Sequence, residues 1–294
     1  MTQQETFGGN WTQDKLERLA RYLSAYVKVF KNQHWAKTIY VDAFAGTGKI
    51  PVKKIKHENT PLPDIIDPEV QEFLTGSAEV ALGIEPPFGQ YLFIENSTKK
   101  FRELESLKEK FPDRAQRIEV MKADANDYLM EWVKRTNWTP TRAVVFLDPC
   151  GMQVEWRLLE ALAGTKSVDL WLLVPIGMGV NRLLTQGDLP PQEWQDRLTA
   201  FFGTDEWLEE FYKPVAEENL FGFATPDVQK VANYDALAAY FVKRLKTIFP
   251  AVAPNPLTQR NSKNSPMFML CFAAQHPKAL EIATYILSMK PKRR

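Results

Sequence analysis

Two short runs of this sequence bring together residue types that can do chemistry. The first is Val41-Asp42-Ala43-Phe44-Ala45-Gly46-Thr47-Gly48, an apolar stretch with an acid near its end, followed by two glycines. Glycines let a backbone turn sharply and approach a ligand with no Cβ in the way, and a carboxylate at a strand end can meet a cationic amino group. The ammonium of a methionine moiety is such a group, so Asp42, Phe44, Gly46 and Gly48 are candidate binders of S-adenosyl-L-methionine. The second run is Phe146-Leu147-Asp148-Pro149-Cys150-Gly151. The Asp148 carboxylate and the Pro149 carbonyl can both accept N–H bonds from an exocyclic amino group and turn its lone pair toward a methyl donor, which requires orientation and electrostatics but no strong base. Cys150 admits another route, in which a thiolate adds to a pyrimidine ring and activates the neighbouring carbon. The competing reading of a small, semi-buried cysteine is inert packing.

Two further acids fall where such a site needs support. Glu95 ends the apolar run Tyr91–Ile94 and can accept both hydroxyls of a ribose. Asp124 follows Ile118–Met121, where its carboxylate can take an adenine amino group while the backbone beside Ala125 meets a ring nitrogen. Each acid alone also reads as a loop residue or, for Asp124, a helix N-cap. Gly48-Lys49 resembles the end of a nucleotide-phosphate loop, but Ala43 stands where that loop needs glycine and Ile50 where it needs a hydroxyl.

The elements that must position these residues follow from hydrophobic spacing. Leu16, Leu19, Leu23, Tyr26, Val27 and Phe30 predict a helix over Asp14–Phe30, and Thr38–Phe44 a buried first strand. Lys49–Thr75 is rich in proline and charge and reads as an extended insertion. Then come helix Ser77–Leu82, strand Tyr91–Ile94, helix Thr98–Lys110, strand Ile118–Met121, helix Ala125–Arg135, strand Ala143–Leu147, helix Glu155–Ala163 and strand Val168–Val174. Such alternation predicts a mostly parallel α/β sheet covered on both faces. Asn181–Pro250 reads as a mainly helical cap, with Tyr234–Phe249 its clearest helix, and strand Met267–Ala274 with helix Pro277–Met289 closes the sheet. The expectation is one domain over residues 1–294, with insertions at 49–75 and 181–250.

Composition sets outer bounds. With 45% hydrophobic and 25% charged residues and no apolar run long enough for a bilayer, the chain reads as a soluble, non-membrane protein. Its polar start lacks the order of a signal peptide, which points to the cytoplasm. Two cysteines and three histidines at no ligand spacing predict no metal site.

Taken together, several motifs resemble the three-Cys-motif partner family (TcmP). They are Lys15-Leu16 with Tyr22-Leu23-Ser24-Ala25-Tyr26, Thr38 through Gly48, Gly76-Ser77-Ala78, Phe146-Leu147-Asp148-Pro149, Gln153-Val154-Glu155-Trp156, Asp169-Leu170-Trp171, Val180-Asn181-Arg182-Leu183-Leu184 and Phe272 through Pro277. The resemblance covers most of the chain. It implies a Rossmann-like class I methyltransferase fold, S-adenosyl-L-methionine as cofactor and a radical-SAM three-Cys-motif protein as partner. The cluster-binding cysteines belong to that partner, since this chain has only two. The chain departs from the family at Cys150, where an aromatic residue would stack a target base; Trp156 and Phe44 are the candidates to replace it.

Three functions fit these residues. A nucleic-acid methyltransferase is favoured by Asp148-Pro149 and by Lys49, Lys53, Lys54 and Lys56, which suit phosphates but also suit a solvated loop. A small-molecule or protein methyltransferase would have a closed apolar pocket under the cap. An auxiliary partner would bind cofactor without turnover. Trp207, Phe211, Tyr212 and Tyr234 can stack bases, but the expected role is to fill the cap's own core.

Overall fold

The apolar run Lys37–Ala43 forms β1, and the sheet grows from it in both directions. The computed structural model describes residues 7–45, 76–218, 224–261 and 263–290. On one side β1 pairs in parallel with β2 (Gln90–Ile94), and β2 with β3 (Ile118–Met121). On the other it pairs in parallel with β4 (Thr141–Leu147), and β4 with β5 (Val168–Val174). The long strand β10 (Pro266–Ala274) runs antiparallel between β5 and the short β8 (Ala251–Val252), and β9 (Leu257–Arg260) also pairs with it. The resulting order, β3-β2-β1-β4-β5-β10-β8, is a mostly parallel Rossmann-like sheet with one reversed strand near its edge. Strands covered on both faces read as continuous apolar runs, and all nine residues of β10 are buried.

Alternation along the strands divides the core in two. Tyr40, Phe93, Val144, Phe146, Trp171 and Phe272 face one layer, formed by α1 (Phe7–Phe30), α2 (Ser77–Leu82) and α11 (Pro277–Ser288), with α3 (Thr98–Glu105) and α4 (Leu107–Lys110) farther along. Val41, Val145, Leu147 and Leu172 face the other, formed by α5 (Ala125–Arg135), α6 (Trp156–Gly164) and the segment after β5. That segment contains α7 (Asn181–Leu183), α8 (Gln192–Phe202), α9 (Trp207–Phe211) and α10 (Tyr234–Ile248). Phe201, Phe202 and Phe241 form its aromatic centre, with Trp156 of α6 edge-on to Phe241. Gly203 ends α8 at a φ of 69°, and a Cβ there would lie 2.0 Å from the Trp156 ring, so both backbone shape and space require glycine.

The structure departs from the sequence expectations in four places. Helix α1 starts at Phe7 rather than Asp14, because apolar spacing marks where a helix packs and not where its hydrogen bonding begins. The helix expected over Thr98–Lys110 breaks at Ser106, whose hydroxyl donates to the Glu103 carbonyl at 2.6 Å and competes with the helical ladder. The cap is not helical throughout: β6 (Tyr212–Glu218) and β7 (Ala224–Lys230) form an antiparallel hairpin. Pro214 and Pro226 lie in it, and proline inside a helix loses a hydrogen bond and clashes with the preceding turn. Strands β8 and β9 are too short to show a pattern in sequence. The insertion expected at 49–75 lies outside the described residues.

Candidate functional site

In a doubly wound sheet, ligands bind outside the carboxyl ends of the strands where the strand order reverses. Here that point lies between β1 and β4. Beyond Ala43 the chain turns at Phe44, a non-glycine residue with a φ of 70°. The N–H groups of Phe44 and Ala45 both donate to the Ile94 carbonyl, at 3.1 and 3.2 Å, which ties the turn to the end of β2. A bulky residue in the left-handed region is strained, and such strain collects at ligand sites. Gly46 and Gly48, expected to continue this turn, lie outside the described residues.

Asp42 and Asp148 lie beside each other at the ends of β1 and β4, both on the side of the sheet that faces α1 and α2. Asp42 is fully buried; Tyr40 donates to its Oδ2 at 3.2 Å, the Ser77 hydroxyl also hydrogen-bonds to it, and Oδ1 has no partner among the described residues. Burial pushes its pKa up to about 7; the Asp148 charge adds to that, while Ser77, Tyr40 and Lys15 act in the opposite direction. Asp148 is 4% exposed, and its Oδ2 accepts from the Lys15 ammonium at 2.5 Å while Oδ1 has no partner among the described residues. Lys15 is fully buried on α1, with its nitrogen 5.7 Å from the centre of the Phe146 ring. Two charges taken out of water hold together only when each satisfies the other, so this pair fixes α1 onto the end of β4.

The other expected residues are distributed around this pair. Glu95 follows β2 and is nearly buried, with Oε1 accepting from the Ser97 N–H at 2.7 Å and Oε2 3.8 Å from the Lys100 ammonium. Asp124 caps α5, accepting from the N–H groups of Asn126 and Asp127 at 2.8 and 3.1 Å, and Ala125 is the buried first residue of that helix. Pro149 is buried and Cys150 half-buried, the Cys150 N–H donating to the Gln153 side chain at 3.1 Å. Burial pushes the Cys150 thiol up, although Lys100 pulls the other way, so at neutral pH it is a thiol rather than the thiolate an addition mechanism needs. Trp156, a candidate to stack a base, is 1% exposed, has Arg244 over its ring at 4.7 Å, and is part of the cap core. Trp207, Phe211 and Tyr212 are buried in that core too. Phe44 is half-buried at the turn itself.

Four contributors escape a sequence reading centred on strand ends: Lys15, Tyr40, Ser77 and Asn126. The Asn126 side chain donates to the Gln153 carbonyl at 2.7 Å and accepts from the Glu155 N–H at 3.0 Å, clamping the loop after β4 to α5. The loop after β5 supports it from the other side. A Cβ on Gly177 would meet the Pro266 carbonyl at 1.9 Å, so the π-helical turn Ile176–Val180 lies directly on β10, and Gly179 abuts Met152. The Ile176-Gly177-Met178-Gly179 spacing was the available sign of that close approach.

No protein-family model matches this chain, and none of the curated proteins does. Among solved structures it is similar to protein LPL1258 of Legionella pneumophila strain Philadelphia 1, described with the family model DUF519, at 12% identity over 96% of this chain and 91% of that one, with a TM-score of 0.45. It is also similar to the N-terminal domain of EvdMO1, crystallised in the presence of SAH and D-fucose, at 15% identity over 88% and 83% of the chains, with a TM-score of 0.38. Among the described residues, no helix is long and apolar enough to cross a membrane.

Proposed function

We propose that this protein is an S-adenosyl-L-methionine-dependent methyltransferase acting on an amino nitrogen, with a nucleic-acid base as its substrate. The observation that carries the reading is a pair of buried carboxylate oxygens, Asp42 Oδ1 and Asp148 Oδ1, left without partners at the carboxyl ends of β1 and β4. A buried acceptor without a donor costs about 1–3 kcal/mol, which a ligand bearing N–H groups would recover. Asp42 fits the cofactor's ammonium, Glu95 its ribose hydroxyls, and the Asp124–Ala125 corner its adenine edge. When bound, the cofactor supplies an electrophilic methyl group on sulfur.

The chain's own residues then bind, orient and hold protons. Asp42, with its pKa near 7, gives up its proton when a cation arrives, so cofactor affinity weakens below neutral pH. Asp148 accepts a substrate N–H through its unpartnered oxygen, with the Pro149 carbonyl as second acceptor, while the ion pair to Lys15 holds the carboxylate in place. Cys150 is not needed as a nucleophile. The lysines at 49, 53, 54 and 56 suit a phosphate backbone, which supports the nucleic-acid part of the reading.

The motif resemblance adds a radical-SAM three-Cys-motif protein as partner. A second reading makes this chain a silent auxiliary of that partner, and the Lys15–Asp148 pair favours it by occupying an oxygen that an amino substrate would use. Incubation with cofactor labelled in its methyl group and with total nucleic acid separates the two. Label should enter nucleic acid with the wild type and drop at least 100-fold with Asp148→Ala, while cofactor binding persists. Binding without label transfer, in the presence of the partner too, would establish the auxiliary role instead.

A further inference from the structure

A cavity of about 650 Å³ opens at the opposite, amino-terminal end of the sheet. Arg142 near the start of β4, Ser167 and Asp169 at the start of β5, the carboxyl-terminal half of α1 and the first turn of α11 enclose it. Arg142 and Asp148 are six residues apart along β4 and its exit, which at the usual strand rise is about 20 Å. The two sites are therefore separate.

The cavity's lining combines flat apolar surface with unused donors. Tyr22, Tyr26, Phe30 and Trp35 contribute the aromatic wall. Tyr22 donates to Asp169 Oδ2 at 2.6 Å, and Asp169 is the one acid among the lining residues. Tyr26 is different: it is 6% exposed, it lines the cavity, and its hydroxyl has no hydrogen bond among the described residues. Arg142 is held in place through Nη1, which donates to the carbonyls of Trp138 and Thr141 at 3.1 and 2.7 Å, and its guanidinium lies 4.8 Å over the Trp35 ring. Its Nε and Nη2 donors have no acceptor among the described residues. Lys166 adds a second cation at the rim, and Lys278, paired with Glu281, a third.

A rigid guanidinium with a free edge recognises two oxygens of a carboxylate or phosphate, and an aromatic wall recognises a flat ring. We infer that this cavity is a binding site for a small aromatic anion, its ring against Tyr26, Phe30 and Trp35 and its carboxylate or phosphate on Arg142 and Lys166. The volume lies within the usual range for small-molecule sites. The inference stands apart from methyl transfer, since it uses none of the residues at the carboxyl ends of β1 and β4.

The test is calorimetric titration with two anionic probes, guanosine 5′-monophosphate for a phosphate source and indole-3-carboxylate for a carboxylate source, beside neutral guanosine and indole. The expected result is binding of at least one anion, at least ten-fold tighter than its neutral counterpart. Val29→Trp, which fills the cavity from a half-exposed position, should weaken that binding at least ten-fold, and Lys166→Glu at least five-fold. Thermal melting within a few degrees of the wild type confirms that both variants fold. Which anion binds identifies the source; no binding by either, or binding that neither folded variant changes, overturns the inference.

Discussion

The two ends of the sheet bury polar groups in opposite ways. At the carboxyl end, Lys15, Tyr40 and Ser77 already give donors to Asp42 and Asp148, and what remains is a pair of acceptor oxygens. At the amino end, a single phenol pairs with one oxygen of Asp169, while Tyr26 and the free edge of Arg142 offer donors. A ligand at the first end must therefore bring N–H groups or positive charge, and one at the second must bring acceptors. Helix α1 serves both, carrying Lys15 to one and Tyr22 and Tyr26 to the other.

The largest effect expected from breaking this contrast comes from Lys15→Met. It strands a buried carboxylate, and loss of one partner of a buried pair costs about 3–5 kcal/mol. A lower urea midpoint should reveal it, and adding Asp148→Asn should recover most of the loss, because a neutral amide replaces the orphaned charge. A single variant as stable as the wild type would mean that the pair does not fix α1 to β4.

Next in size is the pH dependence. Asp42 binds its proton more tightly folded than unfolded, so its contribution to stability is complete below the unfolded pKa near 4 and is lost as pH rises through about 7. Asp169, raised to about 6 by burial, acts with the same sign. Three pKa units correspond to at most about 4 kcal/mol for Asp42. Asp42→Asn should flatten the fall in stability between pH 5 and pH 8, measured by urea unfolding at each pH. An unchanged slope would place the titration elsewhere.

Asn126→Ala should have the smallest effect, about 1–3 kcal/mol, as it leaves the Gln153 carbonyl and the Glu155 N–H without their partner. Faster hydrogen exchange at Glu155, with little change in β4, would localise the loss to the clamp. Uniformly faster exchange would show that Asn126 supports the whole fold.

How much of this was legible in sequence depended on burial. The parallel strands were readable because they are covered on both faces and form continuous apolar runs, as at Val144–Leu147. Asp124 was readable as a cap from its place before a helix, and the structure shows that role. The hairpin β6–β7 was not, because its polar residues show no alternation against a core. Lys15 was not readable as part of the site either. A lysine on an amphipathic helix normally faces water, and only a contact spanning 133 residues of sequence, to Asp148, turns it inward. Phe44 and Asp42 were readable as a turn and an acid, but the burial that raises the pKa of Asp42, and the Ser77 and Tyr40 hydrogen bonds that oppose it, come from packing that local spacing does not show.

The most direct test of the central claim is calorimetric binding of S-adenosyl-L-methionine to the purified protein, to Asp42→Ala and to Asp169→Ala. Micromolar binding is expected for the wild type, several-fold weaker at pH 5.5 than at pH 8, lost in Asp42→Ala and retained in Asp169→Ala at the other end of the sheet. Absence of binding by the wild type, or equal binding by Asp42→Ala, would contradict it.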